Sequence, residues 1–333
     1  MATMNAAFIT ECGPASNIQY GEIQRPEPGP NQVLVRTGAA ALNPVDTYIR
    51  NGANYWELPN PFVVGCDVAG TVEAVGSDVT ELSVGDRVWG TNQGLLGRQG
   101  TFAEYCAIDQ EWLYKTPENV TDEDAAACSL VGVTAHLGLF RDAKINADDT
   151  IFVHGGSGGV GAMVLQMAKI TGARVITSAG SQEKAERCKE LGADDVILYK
   201  EENETEAIAR LAPEGVNVFW ETLREPDLES IVEVMAERGR IVIMAGRDAR
   251  PPFPVGPFYV KGLHMFGFVM FKAPPCELKA CADDINNWLS SGQLKAQISH
   301  RLPLSDAAQA HQIQEDNTLM KAGTIAGKIV LIP

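Results

Sequence analysis

The chain has 333 residues, 43 of them acidic and 27 basic, for a formal charge of −16. That length suggests about two domains of roughly 100–200 residues, the 45% apolar fraction furnishes a core, and 21% charged residues are too few for a disordered chain. So acidic a balance favours solubility and argues against nucleic acid as a partner.

The start, MATMNAAFITECG, lacks a basic region followed by a long apolar core, so no secretory signal is read there. The longest uncharged run, 150–168, holds five glycines and a histidine and is a poor membrane span. Seven cysteines with no CxxC spacing predict free thiols in a reducing cytoplasm, not a disulfide framework.

In chain order, short apolar or alternating runs at 7–10, 33–41, 70–75, 87–90 and 103–108, set apart by Pro and Gly, predict a β-rich first third. One helix is expected at 43–50, with Asn43 as cap, Pro44 at the first helical position and Gly52 beyond the end. The stretch Thr121-Asp-Glu-Asp124 resembles a capping box opening a helix through the alanine run. From Thr150 the rhythm changes. Strand-like runs at 151–153, 174–177, 195–198, 216–219, 240–244 and 263–268 alternate with helical segments at 159–171, 182–191, 204–211 and 228–237. Such alternation requires crossover connections and hence a parallel sheet covered on both faces. Helices at 277–290 and 307–315 and a strand at 328–332 close the chain.

Residues 150–169 read TIFVHGGSGGVGAMVLQMAK. Gly156, Gly158 and Gly161 satisfy G-x-G-x-x-G directly after a strand and at the opening of a helix. The first glycine allows a tight turn, the second lets the backbone approach a pyrophosphate, and the third lets helix and strand pack closely. The helix N-terminus then offers free N–H groups to the anion. Alone the motif is weak; a full strand–helix series after it makes dinucleotide binding the reading. An NAD site usually carries an acid at the end of the second strand. Here that place reads VITSAGSQEK, with Ser178, Ser181 and Lys184 and no acid ending the strand. Without the carboxylate a 2′-phosphate meets no repulsion, and Lys184 adds a charged hydrogen bond, so NADP(H) is expected. The competing reading makes Lys184 a solvated helix lysine beside Glu183 and Glu186.

With these residues in hand the sequence resembles the medium-chain dehydrogenase/reductase superfamily, in its zinc-free quinone oxidoreductase (zeta-crystallin-like) branch. The resemblance spans nearly the whole chain and rests on LNPVDTYIRNG (42–52), VGCDVAGTVEAVG (64–76), VGDRV (84–88), GVTA (132–135), the GGSGGVG loop, LGAD (191–194) and GKIVLIP (327–333). Departures are Cys66, where relatives often carry Ser or Thr, together with Trp56 and the segment 94–100. The resemblance implies an α/β fold in which a Rossmann doubly wound parallel sheet (125–271) is inserted between the two parts of a GroES-like β domain (1–124 plus 272–333), with the cofactor in the cleft between them.

It further implies that Tyr48 lies near the nicotinamide and Thr134 beside its ring, with Ser157, Gly158, Gly159 and Val160 on the pyrophosphate. Gly180 and Lys184 would hold the ribose phosphate, and Tyr199 the same phosphate or the adenine. Ala245, Gly246 and Arg247, then Phe268, Val269 and Met270, would supply backbone contacts along the nicotinamide half. Zinc-dependent relatives place a Cys where Asn43 stands, a His-Glu pair at Cys66-Asp67 and a third ligand near Leu130. Catalytic zinc needs three N, S or O ligands; Asn43 and Leu130 are unsuited, and no metal is expected. Cys276 and Cys281 read as helix-packing thiols, and each of the five histidines as packed or on the surface.

Without a Lewis acid, an acceptor that delocalises its developing charge is favoured, which points to an NADPH-dependent reductase of quinones. Tyr48 is the candidate for positioning or protonating the acceptor oxygen, Asn43 and Asp46 orient its loop, and Tyr55 lines the pocket. The alternative within enzymes is reduction of an activated C=C bond in an enone, alkenal or enoyl thioester. A purely structural role, as in lens crystallins, conflicts with an intact glycine loop. A homodimer is expected through the six aromatics of 252–271, which fall at the last, edge strand of the parallel sheet.

Overall fold

The computed structural model describes residues 2–53, 56–320 and 322–333. The chain divides into two compact units, Met1–Leu130 with Pro274–Pro333, and Val131–Ala273.

The first unit is built on β1 (Thr3–Ile9), β2 (Gln19–Gln24), β3 (Gln32–Leu42), α1 (Pro44–Arg50), β4 (Phe62–Val63), β5 (Asp67–Val75), β6 (Arg87–Gly90), β7 (Tyr105–Asp109) and β8 (Leu113–Lys115). A small sheet runs β2-β1-β4. The larger one is organised by β3, which pairs antiparallel with both β5 and β7. Long strands are allowed to bend, and β3 does so through register shifts against β5 at Leu34/Val35 and Thr37/Ala39. Helix α2 (Asp122–His136) follows, with Asp124 N donating to Thr121 Oγ1 at 3.1 Å, as the capping motif predicts. It winds on into a π-helical turn, Leu137–Asp142.

The second unit alternates β9 (Thr150–Val153), α3 (Gly159–Ile170), β10 (Arg174–Ala179), α4 (Gln182–Glu190), β11 (Asp195–Leu198), α5 (Glu204–Leu211), β12 (Val216–Glu221), α6 (Leu228–Val234), β13 (Met235–Ile243), α7 (Val255–Val260) and β14 (His264–Gly267). The sheet order β11-β10-β9-β12-β13-β14 is all parallel. Counted along the chain this is 3-2-1-4-5-6, the doubly wound dinucleotide-binding order, which reverses between β9 and β12. Phe152, Ile176, Ile197, Ile208, Phe219 and Ile231 are fully or nearly fully buried in the core shared by the sheet and α5 and α6. The helix expected over 228–237 stops at Val234 and the next strand begins at once. Met235 pairs in register with Val216, and tertiary pairing overrides the local helical pattern.

The chain then returns to the first unit with α8 (Pro275–Ser291), β15 (Ile298–Pro303), α9 (Ala307–Leu319) and β16 (Lys328–Ile332). Strand β16 pairs antiparallel with β3 and lies between β3 and the edge strand β15 of the larger sheet. All seven cysteines are free; Cys12 and Cys276 are exposed and the other five are buried. Among the described residues no helix is long and apolar enough to cross a membrane.

Candidate functional site

The strand order places a crevice at the carboxyl ends of β9 and β12, where ligands of open α/β sheets bind. The glycine loop follows β9, and Gly155 turns it at φ +72°. A Cβ on Gly156 would lie 2.3 Å from Thr177 Oγ1, and one on Gly161 only 2.2 Å from the Gly155 carbonyl oxygen, so side chains are excluded at both. The loop is pinned from below: Gly156 N donates to Thr177 Oγ1 at 3.1 Å, and that hydroxyl donates to Val153 O at 2.6 Å. Gly158 caps α3 without a side-chain hydrogen bond, and no acid occupies its first turn, which contains Gly159 and Val160. Such an N-terminus is open to an anion. Ser157 in the loop is 9% exposed. Thr134, on α2, is buried with its hydroxyl unpartnered among the described residues. A glycine cradle, an uncapped helix and an orphaned buried hydroxyl together fit a dinucleotide.

After β10 the chain passes Gly180 into α4, capped by Ser181, whose Oγ accepts from Lys184 N at 3.4 Å. The phenol of Tyr199 lies over Gly180, 2.4 Å from where a Cβ would stand. Burial lowers the Lys184 pKa and the nearby charge of Lys200 lowers it further. Lys200, the residue after Tyr199, thus adds a second positive charge felt at Lys184, and the sequence did not single it out. Ser178 is 1% exposed, and its hydroxyl lies beside the Glu204 carboxylate. Ala245, Gly246 and Arg247 form the turn after β13, with Gly246 at φ +84°. Phe268, Val269 and Met270 follow β14; Met270 is buried and Val269 exposed.

The first unit holds a second polar cluster. Asn43 caps α1 in a two-way box: its backbone N–H donates to Asp46 Oδ2 at 2.7 Å and its side chain accepts from the backbone at Asp46. Its side-chain amide also donates to Asp67 Oδ2 at 2.8 Å. Lys328, from β16 and 4% exposed, donates to Asn43 Oδ1 and brings its ammonium 3.7 Å from Asp67 Oδ2. Burial pushes the Asp46 pKa up to about 7 against the lowering contributions of Cys66 and the Asn43 N–H. Burial, then the Asp46 and Asp67 charges, hold the Cys66 thiol well above its usual range. Tyr48, one turn along α1, is half-buried, and its carbonyl accepts from Ala53 N at 2.9 Å. Tyr55 lies outside the described residues.

These residues do not fit zinc. Asn43 is spent on Asp67 and Lys328, burial raises the Cys66 thiol pKa, Leu130 is apolar, and the Lys328 side chain already lies beside Asp67. Among the described residues no group of three or more His, Cys, Asp or Glu side chains is placed to hold a metal ion. Lys328 was quoted in the sequence only as part of GKIVLIP; a lysine opening an apolar strand is the signal that could have singled it out. His154 likewise does more than pack, since its ring bridges two carboxylates.

Known proteins agree with this architecture. Residues 29–118 match the alcohol dehydrogenase GroES-like domain and residues 159–286 the zinc-binding dehydrogenase family. A quinone oxidoreductase of Sus scrofa is 32% identical over 96% of this chain and 94% of its own. A 2-methylene-furan-3-one reductase of Solanum lycopersicum is 33% identical over 96% of this chain and 74% of its own. Among solved structures, an NAD-dependent alcohol dehydrogenase superposes with a TM-score of 0.89 at 30% identity, covering 99% of this chain and all of that one. The Escherichia coli quinone oxidoreductase complexed with NADPH superposes with a TM-score of 0.85 at 28% identity, and each chain is covered completely. The chain thus belongs to the medium-chain dehydrogenase/reductase superfamily of oxidoreductases and, within it, to the quinone oxidoreductase branch.

Proposed function

We propose that this protein is a zinc-independent, NADPH-dependent reductase of quinones. The observation that carries the reading is the cluster around Asn43, in which Lys328 takes up Asn43 Oδ1 and lies beside Asp67, and which lacks the donor set of a Lewis-acid metal among the described residues. An acceptor that becomes a delocalised aromatic oxyanion on reduction needs no metal to hold a developing alkoxide. The bound dinucleotide supplies the hydride; the protein binds, orients and excludes water.

In this reading the catalytic domain comprises 1–124 with 272–333 and the nucleotide-binding domain 125–271. Ser157 to Val160 and the α3 N-terminus take the pyrophosphate, and Gly180, Lys184, Lys200 and Tyr199 the ribose phosphate. Ser178 supports that strand end from below. Thr134, Ala245 to Arg247 and Phe268 to Met270 flank the nicotinamide half. Asn43 and Asp46 hold α1 so that Tyr48 positions or protonates the acceptor oxygen, with Tyr55 lining the pocket. The enzyme works in the cytoplasm as a homodimer paired through β14.

The tomato relative favours a second reading, reduction of an activated C=C bond. Oxidation of NADPH and NADH, followed by absorbance against a panel of quinones, enones and simple aldehydes, separates these readings. Quinone-dependent NADPH oxidation that survives exhaustive chelation is expected. Turnover of enones alone supports the second reading, and turnover that needs a stoichiometric metal overturns both.

A further inference from the structure

At the carboxyl ends of the second unit's sheet a polar layer sits on the aromatic and aliphatic core. Phe152 stands in register with Ile176 on one side and Phe219 on the other. Side chains alternate along strands, so two residues further on His154, Ser178 and Glu221 continue the same face. His154 Nδ1 lies 3.1 Å from Glu221 Oε2, and its Nε2 lies 3.1 Å from Glu204 Oε1 at the start of α5. The ring stands edge-on to Phe152 and Phe219, 5.8 and 6.1 Å between centroids. Burial alone would neutralise this imidazole; the hydrogen bonds and charges of Glu204 and Glu221 outweigh it and raise the pKa to about 10.

Two hydrogen bonds tie this group to the crevice. Glu221 Oε1 accepts from Leu223 N at 2.5 Å, and Thr222 Oγ1 donates to the carbonyl of His154 at 2.8 Å. One lip of the crevice, Gly155 to Gly158, begins directly after His154. The other, Thr222 and Leu223, begins directly after Glu221. A largely buried ion triad is a poor source of stability, because desolvation consumes much of its Coulomb gain and apolar side chains would extend the Phe152 layer at least as well. Its value lies in fixed geometry.

We propose that His154, clamped between Glu204 and Glu221, is a positioning residue for the dinucleotide that sets the spacing of the two lips of the crevice at the β9–β12 switch point. The inference rests on the dinucleotide reading above and is independent of which acceptor is reduced.

Direct titration of the full-length protein with NADPH, followed by calorimetry, tests it. His154→Phe and the triple variant H154F/E204L/E221Q are compared with wild type, each first shown to be folded by its near-ultraviolet circular dichroism. The triple variant removes every unpaired charge and keeps an acceptor for Leu223, so it remains measurable if His154→Phe fails to fold. The expected result is a folded triple variant that binds NADPH about tenfold more weakly, the worth of one hydrogen bond to a charged group. In addition, the positioning role predicts that wild type loses NADPH affinity at alkaline pH, and Glu204→Gln should shift that loss to lower pH. Wild-type affinity in the triple variant, or a Glu204→Gln profile that superposes on wild type, overturns the positioning role. A wild-type protein that binds neither NADPH nor NADH overturns the dinucleotide reading and this inference with it.

Discussion

A lysine ammonium with 4% of its surface exposed must be compensated, and Lys328 has Asp67 and Asn43 for that purpose. Lys328→Met leaves Asp67 buried and without its cation, and breaking such a pair typically costs about 3–5 kcal/mol. Urea denaturation is expected to show a loss on that scale, with Asp67→Asn in the same chain restoring most of it; a single variant as stable as wild type contradicts the assignment. Lys184 is a different case, half-exposed and within the influence of the Lys200 charge. Lys184→Glu is expected to weaken NADPH selectively, by about 1–3 kcal/mol, and to leave NADH nearly unchanged. Equal losses for both cofactors in parallel binding measurements would remove Lys184 from the 2′-phosphate.

Between elements, α9 packs on α1 through a buried polar contact. Arg50, fully buried, pairs with Glu315, while His311 is 0% exposed with both ring nitrogens lacking hydrogen-bond partners among the described residues. Burial, assisted by the Arg50 charge, depresses the His311 pKa to about 3. The folded protein therefore holds this ring neutral where an unfolded chain protonates it near 6.5. Between those values the unfolded state binds the extra proton, so stability falls as pH falls, by about 1.4 kcal/mol per unit for this one group. His311→Leu is expected to flatten that acid dependence in urea titrations at pH 7 and pH 5. Identical pH dependence in both proteins refutes it. Nothing in the sequence distinguishes His311 from a surface histidine, because its environment is made by α1, far away in the chain.

The same distinction explains which elements were legible. The parallel strands are apolar runs buried on both faces, and the caps at Asn43 and Thr121 are local chemistry, so these emerged from pattern alone. Strands β2 and β15 did not: QYGEIQ and ISHRLP are half-exposed, contain little apolar alternation, and are strands because β1 and β16 supply their partners. The glycine cradle was readable for the reason that glycine was required there. The His154 triad was not, since its members come from β9, α5 and β12.

For the molecule as a whole, β14 lies at the edge of the six-stranded sheet, as the aromatic-rich tail of that unit suggested. Nearby, Phe253, Val255, Tyr259 and Val260 on and before α7 are exposed, Tyr259 to 70% and Val260 to 73%. An open strand edge beside exposed apolar side chains suits a self-complementary two-fold interface. Light scattering across a wide dilution range is expected to give twice the chain mass of 35.8 kDa. A monomer mass at micromolar concentration, or a dimer undisturbed by Tyr259→Asp with Val260→Asp, would discard this interface.

Quinones and enones are electrophiles that add to thiolates, so a protein that handles them exposes its own sulfur to attack at every turnover. Reactivity requires both access and ionisation. Burial pushes Cys106 and Cys128 up to about 12 and Cys188 to about 11, and holds Cys66 higher than normal as well. Cys12 and Cys276 alone are exposed. Treating the native protein with excess benzoquinone or a maleimide and weighing the intact chain is therefore expected to reveal adducts at those two positions and no others. Early modification of Cys66 or Cys106 would mean that the interior opens to small electrophiles. On the quinone reading, burying sulfur amounts to chemical self-defence: the nucleophiles that a reactive acceptor would consume are kept out of reach.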